Sequence, residues 1–433
     1  MLSCLSVQEA EESIVKMKVI YDASLFIVIW IQDKFTKNHL IRNYLPVLSG
    51  TYNNNLIIFV CFVHHMIMAR KLILMFAAAC LLAACEKNPY GPTGHTPTPE
   101  TPEEKPSEIT KGSFAEGADI SWITQMEADG CRFYNDAGKE TECTALMKEI
   151  GFNAIRLRVW VDPEDGWCGK DDVLVKAKRA KDLGMRIMID FHYSDTWADP
   201  SNQKTPAAWA GLNLHELAAQ VEAHTKETLQ LLKDNGIDVE WVQVGNETNS
   251  GMLHPEGHIS DSADNFAVLA NKGYDAVKSI FPDAKVIIHR SEGHKANQCK
   301  WYFSLLKESK VKYDIIGLSL YPVWWESNGW CAWKPNVDDC LANIKNLASS
   351  FGKPVMVCEI GMPVWEPQMS KEAVQYILEE SRKIEGCHGV FYWEPQTDGV
   401  WKPSSYNALG WNAYDKGAFK NGKPTIALAP FKD

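Results

Sequence analysis

From Ser113 onward, short apolar runs alternate with amphipathic helical stretches, and no other feature constrains the fold as tightly. The runs fall at 117–120, 154–159, 186–191, 240–244, 285–289, 315–320, 354–358 and 390–393. Helical periodicity fills several of the gaps, at 173–183, 214–235, 262–280, 337–351 and 370–384. Strand–helix alternation implies parallel pairing with right-handed crossovers. Eight such units over 113–433 match a single closed (β/α)8 TIM barrel, a fold of about 250 residues before insertions. An open doubly wound sheet would carry a glycine-rich phosphate turn, and neither G-x-G-x-x-G nor a Walker loop is present, so no nucleotide cofactor is expected.

The chain ahead of the barrel has a different character. Residues 66–84 read as an export signal: Arg70 and Lys71 precede an apolar stretch, 72–82, too short for a stable membrane span. The stretch ends Leu82-Ala83-Ala84-Cys85, which resembles a bacterial lipobox, and Cys85 is then the lipidated first residue of the mature chain. Residues 1–65 show no organising pattern and are expected to lie upstream of the true start, at Met66 or Met68. After Cys85, residues 86–112 are rich in Pro, Thr, Glu and Lys, so the 85–112 segment is expected to be a tether that buries no core. The expected product is an exported, membrane-anchored lipoprotein, with its anchor in the outer membrane, at the cell surface or on a periplasmic face. Eight cysteines follow Cys85. Cys131/Cys143 and Cys331/Cys340 are the candidate bridges, while Cys358 and Cys387 look like buried thiols. No Cys/His cluster argues for a metal.

In such barrels the working residues lie at the C-terminal ends of the strands. Polar and aromatic residues gather there: Asp190, His192 and Asp195 after the third run, Asn246 and Glu247 after the fourth, and His289 at the fifth. Tyr321 and Trp324 follow the sixth run, Glu359 the seventh, and Trp393 with Glu394 the eighth. Glycosidic cleavage needs one carboxylic acid to protonate the leaving oxygen and a second carboxylate to attack carbon or activate water. Glu247 and Glu359 stand at opposing strand tips and fit that pair. The net charge of −11 argues against a nucleic-acid partner. All but one of the 16 tryptophans lie between Trp122 and Trp411, either as core or as platforms for sugar rings.

Several stretches carry a family resemblance: GADIS (117–121), NAIRLRVW (153–160), DFHYSDTWADP (190–200), QVGNE (243–247), YPVW (321–324) and FYWEP (391–395). Over 113–431 the chain resembles glycoside hydrolase family 53, the endo-β-1,4-galactanases. The resemblance implies hydrolysis of β-1,4-galactan or arabinogalactan with retention, Glu247 as acid/base and Glu359 as nucleophile. Retention in turn implies carboxyls about 5–5.5 Å apart, a raised pKa for Glu247 and an ionised Glu359. Asn246 is expected to bond the sugar 2-hydroxyl and Arg158 to hold the nucleophile ionised. His192, Asp195 and His289 are expected to shape the pocket, with Tyr321 also on the substrate. Trp393 is expected to floor the cleaved sugar, and Trp324, Trp325 and Trp401 to build neighbouring subsites. Some bacterial members bind calcium in an Asp-rich loop after strand seven. Here Glu359 is followed by IGMPVWEP, so no calcium is expected there. A mannanase or xylanase of the same barrel clan, and a glycan-binding lipoprotein without activity, are the alternatives; a monomer is the expected state.

Overall fold

The computed structural model describes residues 112–326 and 329–432. The expected extension, signal segment, Cys85 and almost all of the tether lie outside the described residues. Among the described residues, eight strands form the barrel, in chain order β1 (Ala115–Asp119), β2 (Ala154–Val159), β3 (Arg186–Phe191), β4 (Trp241–Val244), β5 (Lys285–Arg290), β6 (Ile315–Leu320), β7 (Val355–Ile360) and β8 (Cys387–Trp393). Each pairs in parallel with its sequence neighbours, and β8 closes the ring on β1, giving a (β/α)8 barrel. Three strands have the bounds expected from sequence, and the rest shift by one to three residues.

The helices are α1 (Ile123–Ala128), α2 (Cys143–Ile150), α3 (Lys170–Asp182), α4 (Leu214–Asp234), α5 (Ala263–Ile280), α6 (Ala296–Glu308), α7 (Trp333–Phe351), α8 (Pro367–Arg382) and α9 (Ser404–Leu409). Helix α7 starts four residues before the apolar period begins, because Pro335 is tolerated in a first turn. Among the described residues no helix is long and apolar enough to cross a membrane.

Two apolar layers result from strand periodicity. Outward-facing strand residues pack against the helices in one large cluster. Inward-facing residues Ala115, Ala154, Met188, Trp241, Ile287, Ile315, Met356, Cys358 and Phe391 fill the barrel itself. The period of two then puts Arg156 and Arg158 on the same inward side as Ala154, stacked toward the C-terminal mouth. A glycine is needed at Gly117, where a Cβ would lie 2.0 Å from the Phe391 ring. Gly117→Ala is therefore expected to lower stability by about 1–3 kcal/mol through overpacking. Urea unfolding checks this, and an unchanged midpoint would contradict it.

All eight described cysteines carry free thiols, so neither expected bridge is formed. Cys340 lies two turns inside α7 with its thiol buried, while Cys331 precedes that helix and is half-buried. Cys143 opens α2 with its thiol buried in the core, while Cys131 is only half-buried. Cys358 and Cys387 are buried thiols, as their apolar surroundings suggested.

Candidate active site

Two local departures from regular strand geometry aim the glutamates into the barrel mouth. After β4 the chain turns through Gly245 (φ +85°) and Glu247 (φ +44°), both left-handed. Gly245 is needed for that turn, and its missing side chain leaves room for Thr248, whose Cγ2 would stand 2.5 Å from a Cβ. On β7, strict alternation would send Glu359 outward, because Cys358 already points in. A register irregularity shifts the pairing from Leu318↔Val357 to Ser319↔Glu359 and turns the carboxylate inward.

Beneath the glutamates a single guanidinium organises the charges. Arg156 Nη1 lies 2.6 Å from Asp119, and Nε donates to Gln243 Oε1 at 2.7 Å. Nη2 lies 2.9 Å from both Asp190 and Glu359 Oε1, and donates to Asn246 Oδ1 at 3.0 Å. Tyr321 donates its hydroxyl to the other Glu359 oxygen at 2.7 Å. Glu247 Oε1 lies 2.6 Å from Ser319 Oγ. Burial and the neighbouring Glu359 charge push the Glu247 pKa up to about 8. Burial pushes Glu359 up too, to about 7, against the pull of Arg156 and Tyr321. Glu247 is thus the last of the two to ionise, because the cation and the phenol stand on Glu359.

Asn246 is fixed on two sides. Its amide nitrogen donates to Ala198 O at 2.8 Å, and its oxygen lies 2.9 Å from His289 Nδ1. His289 Nε2 in turn lies 2.8 Å from Ser319 Oγ. His192 accepts the Ala198 N–H at Nδ1, 3.0 Å, and meets Asp190 through Nε2, also 3.0 Å. Arg156, with His192 and His289 nearby, overcomes burial to hold Asp190 at about 2.

Above this floor opens a cleft of about 350 Å³. His192, Asn246, Glu247, Tyr321, Glu359 and Trp393 all line it, joined by Trp197, Asp199, Trp411, Tyr414 and Lys416. Trp393 is largely buried beside Trp197, Trp122 and Tyr414, with ring centroids 4.4–5.7 Å away. His289 sits under the cleft and reaches it through Asn246 and Ser319.

Four expected site residues stand elsewhere. Arg158 pairs with Glu394 at 2.8 Å, not with Glu359. Its guanidinium lies behind the cleft among indoles, 4.4 Å from the Trp197 ring centre, and the arginine that meets Glu359 is Arg156, two residues earlier on the same face. Asp195 staples loops, accepting the N–H groups of Asp162 (3.2 Å) and Ala207 (2.8 Å). Trp401 is held back by a bond from its indole N–H to Asp129 (2.9 Å) and by Trp122 (5.5 Å). Trp324 is half-exposed beside His294 and outside the cleft lining. The Trp325 side chain lies outside the described residues. Among the described residues no group of three or more His, Cys, Asp or Glu is arranged to hold a metal ion.

The family model described as Glycosyl hydrolase family 53 matches residues 115–383. An endo-β-1,4-galactanase of Bacillus subtilis is 30% identical over 389 residues, covering 81% of this chain and 87% of that protein. A probable arabinogalactan endo-β-1,4-galactanase A of Neosartorya fischeri is 33% identical over 302 residues, covering 64% of this chain and 83% of that protein. Among solved structures, a fungal β-1,4-galactanase superposes with a TM-score of 0.65 at 28% identity, over 73% of this chain and 98% of its own. The GH53 catalytic domain of Ignisphaera aggregans gives 0.63 at 28% identity, over 75% and 97%.

Proposed function

Since the chain belongs to glycosyl hydrolase family 53, we propose that it is an endo-acting, retaining hydrolase of β-1,4-galactosidic bonds in plant galactan and arabinogalactan. The observation that carries this reading is the unequal environment of two glutamates, Glu359 buried and Glu247 half-buried, across one aromatic cleft.

Glu359 is the nucleophile. Arg156 and Tyr321 each hold one of its oxygens, which orients the carboxylate and favours its charge. It attacks the anomeric carbon while Glu247 gives its proton to the departing glycosidic oxygen. The galactosyl–Glu359 ester is then hydrolysed, with Glu247 taking a proton from the attacking water. Asn246 keeps one amide hydrogen on Ala198, so its second is available to the sugar 2-hydroxyl. Trp393, with Trp197 beside it, offers a flat wall to the sugar ring. The cleft is open at the surface, as an internal cut in a polymer requires.

The protonation states set the pH profile. Activity needs Glu359 ionised and is lost as pH falls through its pKa. It also needs Glu247 protonated and is lost as pH rises through about 8. A bell-shaped kcat/KM profile with its alkaline limb near 8 is expected. A rate still rising above pH 9 would contradict the assignment of Glu247.

Reducing-sugar release on linear β-1,4-galactan, with mannan and xylan alongside, tests the substrate. Galactan alone should be cut; cleavage of mannan or xylan instead would overturn the specificity, and binding without cleavage would overturn the activity. We also propose export as a monomeric lipoprotein anchored through Cys85, supported by the lipobox-like sequence and the Pro/Thr-rich stretch behind it. Radiolabelled palmitate should enter the wild-type chain and not Cys85→Ser.

A further inference from the structure

Behind Glu247 runs a chain of contacts whose direction is set by one amide. Asn246 cannot be flipped, because its nitrogen donates to Ala198 O and its oxygen accepts from Arg156. Asn246 Oδ1 therefore faces His289 Nδ1 at 2.9 Å. Two acceptors cannot face each other at that distance, so Nδ1 carries the hydrogen. The Glu247 N–H lies 3.4 Å from the same nitrogen, which cannot accept it once Nδ1 carries the hydrogen. Burial and the nearby Arg156 charge hold His289 well below the usual imidazole range, so the ring is neutral. Its Nε2 is then a bare acceptor, 2.8 Å from Ser319 Oγ. Ser319 Oγ also lies 2.6 Å from Glu247 Oε1. A hydroxyl has one hydrogen and here has two acceptors within reach.

We propose that Ser319 is a reversible hydroxyl switch on Glu247, with His289 competing for its single hydrogen. The inference rests on Glu247 as the acid/base. When Glu247 is ionised, the hydroxyl donates to it, a charge-assisted bond, and His289 Nε2 loses its donor. When Glu247 is protonated, the hydroxyl turns to Nε2, and its oxygen is free to accept the carboxyl hydrogen. Ionising Glu247 thus breaks the Ser319–His289 bond. Ser319 favours the carboxylate, and His289 favours the acid. Both are positioning residues: the His289 side chain reaches the Glu247 carboxyl through Ser319. The other charged groups facing Glu247 are Glu359 from β7 and Asp199 from the loop after β3, which favour the acid, and Arg156 from β2, which favours the carboxylate. None of them is altered in the test below.

The alkaline limb of kcat/KM against pH reads the switch. Ser319→Ala should move it upward and His289→Leu downward, each by about half to one pH unit. In the Ser319→Ala background, His289→Leu should cause no further shift. A shift of both single variants in one direction, or a His289 effect that survives without Ser319, would overturn the proposal. Ser319→Thr keeps the hydroxyl and should restore the wild-type limb, so the test stands even where His289→Leu fails to fold. Infrared titration of the Glu247 carboxyl band, assigned by its loss in Glu247→Gln, should show the same shifts with no substrate present. An unmoved band would sink the switch. Full galactan activity in Glu247→Gln would sink the acid/base reading on which it rests.

Discussion

Glu359→Ala is expected to abolish galactan cleavage, with kcat lower by about 10⁴- to 10⁶-fold, the scale on which loss of a covalent nucleophile is felt. Arg156 and Tyr321 hold both oxygens of Glu359, so no rotation of a neighbour replaces it. The variant should also be rescued in a specific way. With the carboxylate removed and Glu247 intact, azide enters the vacated space and attacks an activated aryl β-galactoside from the Glu359 side. The product is then the α-galactosyl azide. A β-azide would place the nucleophile on the other face, and undiminished activity on galactan would remove Glu359 from the mechanism.

The second large effect is expected at Arg156. Its guanidinium stands against three carboxylates, Asp119, Asp190 and Glu359, all buried. Arg156→Met leaves these charges without their shared partner. Breaking a buried ion cluster in this way costs about 3–5 kcal/mol. Catalysis suffers separately, because Glu359 loses the cation that favours its ionised form, and the acid limb of the pH profile moves upward. Lysine does not substitute, since it lacks the planar fork that reaches Asp119, Gln243, Asp190 and Glu359 at once. Arg158→Met makes the contrast. It takes the cation from Glu394, which keeps its Gln396 and Trp122 donors, and so lowers stability but leaves the Glu359 contacts in place. The kcat of the folded protein should therefore be lower for Arg156→Met than for Arg158→Met by about 100-fold or more. Equal losses, measured at matched folded fractions, would show that the two arginines are interchangeable.

The difference between these two arginines is not written in the sequence. Strand periodicity places Arg156 and Arg158 on one inward face, and nothing in the sequence says which of them meets strand β7. The choice is made by height along the barrel axis, a property of strand stagger. Glu359 was legible as a strand-end carboxylate, yet a strict period of two would have turned it outward. The irregularity at Cys358–Glu359 that turns it inward leaves no mark in the composition. Glu247, Asn246 and Trp393 were legible because they sit directly at strand ends. The eight strands were legible for a similar reason: buried parallel strands read as continuous apolar runs.

Other residues were hidden by distance along the chain. Trp411 and Tyr414 reach the cleft from the segment after α9, where no periodicity signals a return to the mouth. Ser319 is a small residue in an apolar strand, and its contacts with His289 and Glu247 appear only when β5 and β6 stand side by side. Asp195 and Trp401 misled in the opposite way. Each has the chemistry of a sugar contact, but backbone N–H groups satisfy Asp195 and Asp129 ties back the Trp401 indole.

A covalent role for Glu359 fixes the stereochemistry of the cut. Proton NMR of the first minutes of galactan hydrolysis reads the anomer of the new reducing end before it equilibrates. Double displacement at Glu359 with Glu247 as acid/base gives the β-anomer first, with the α-anomer growing in by mutarotation. An α-anomer formed first would mean a single displacement by water, and the covalent role of Glu359 would have to be abandoned.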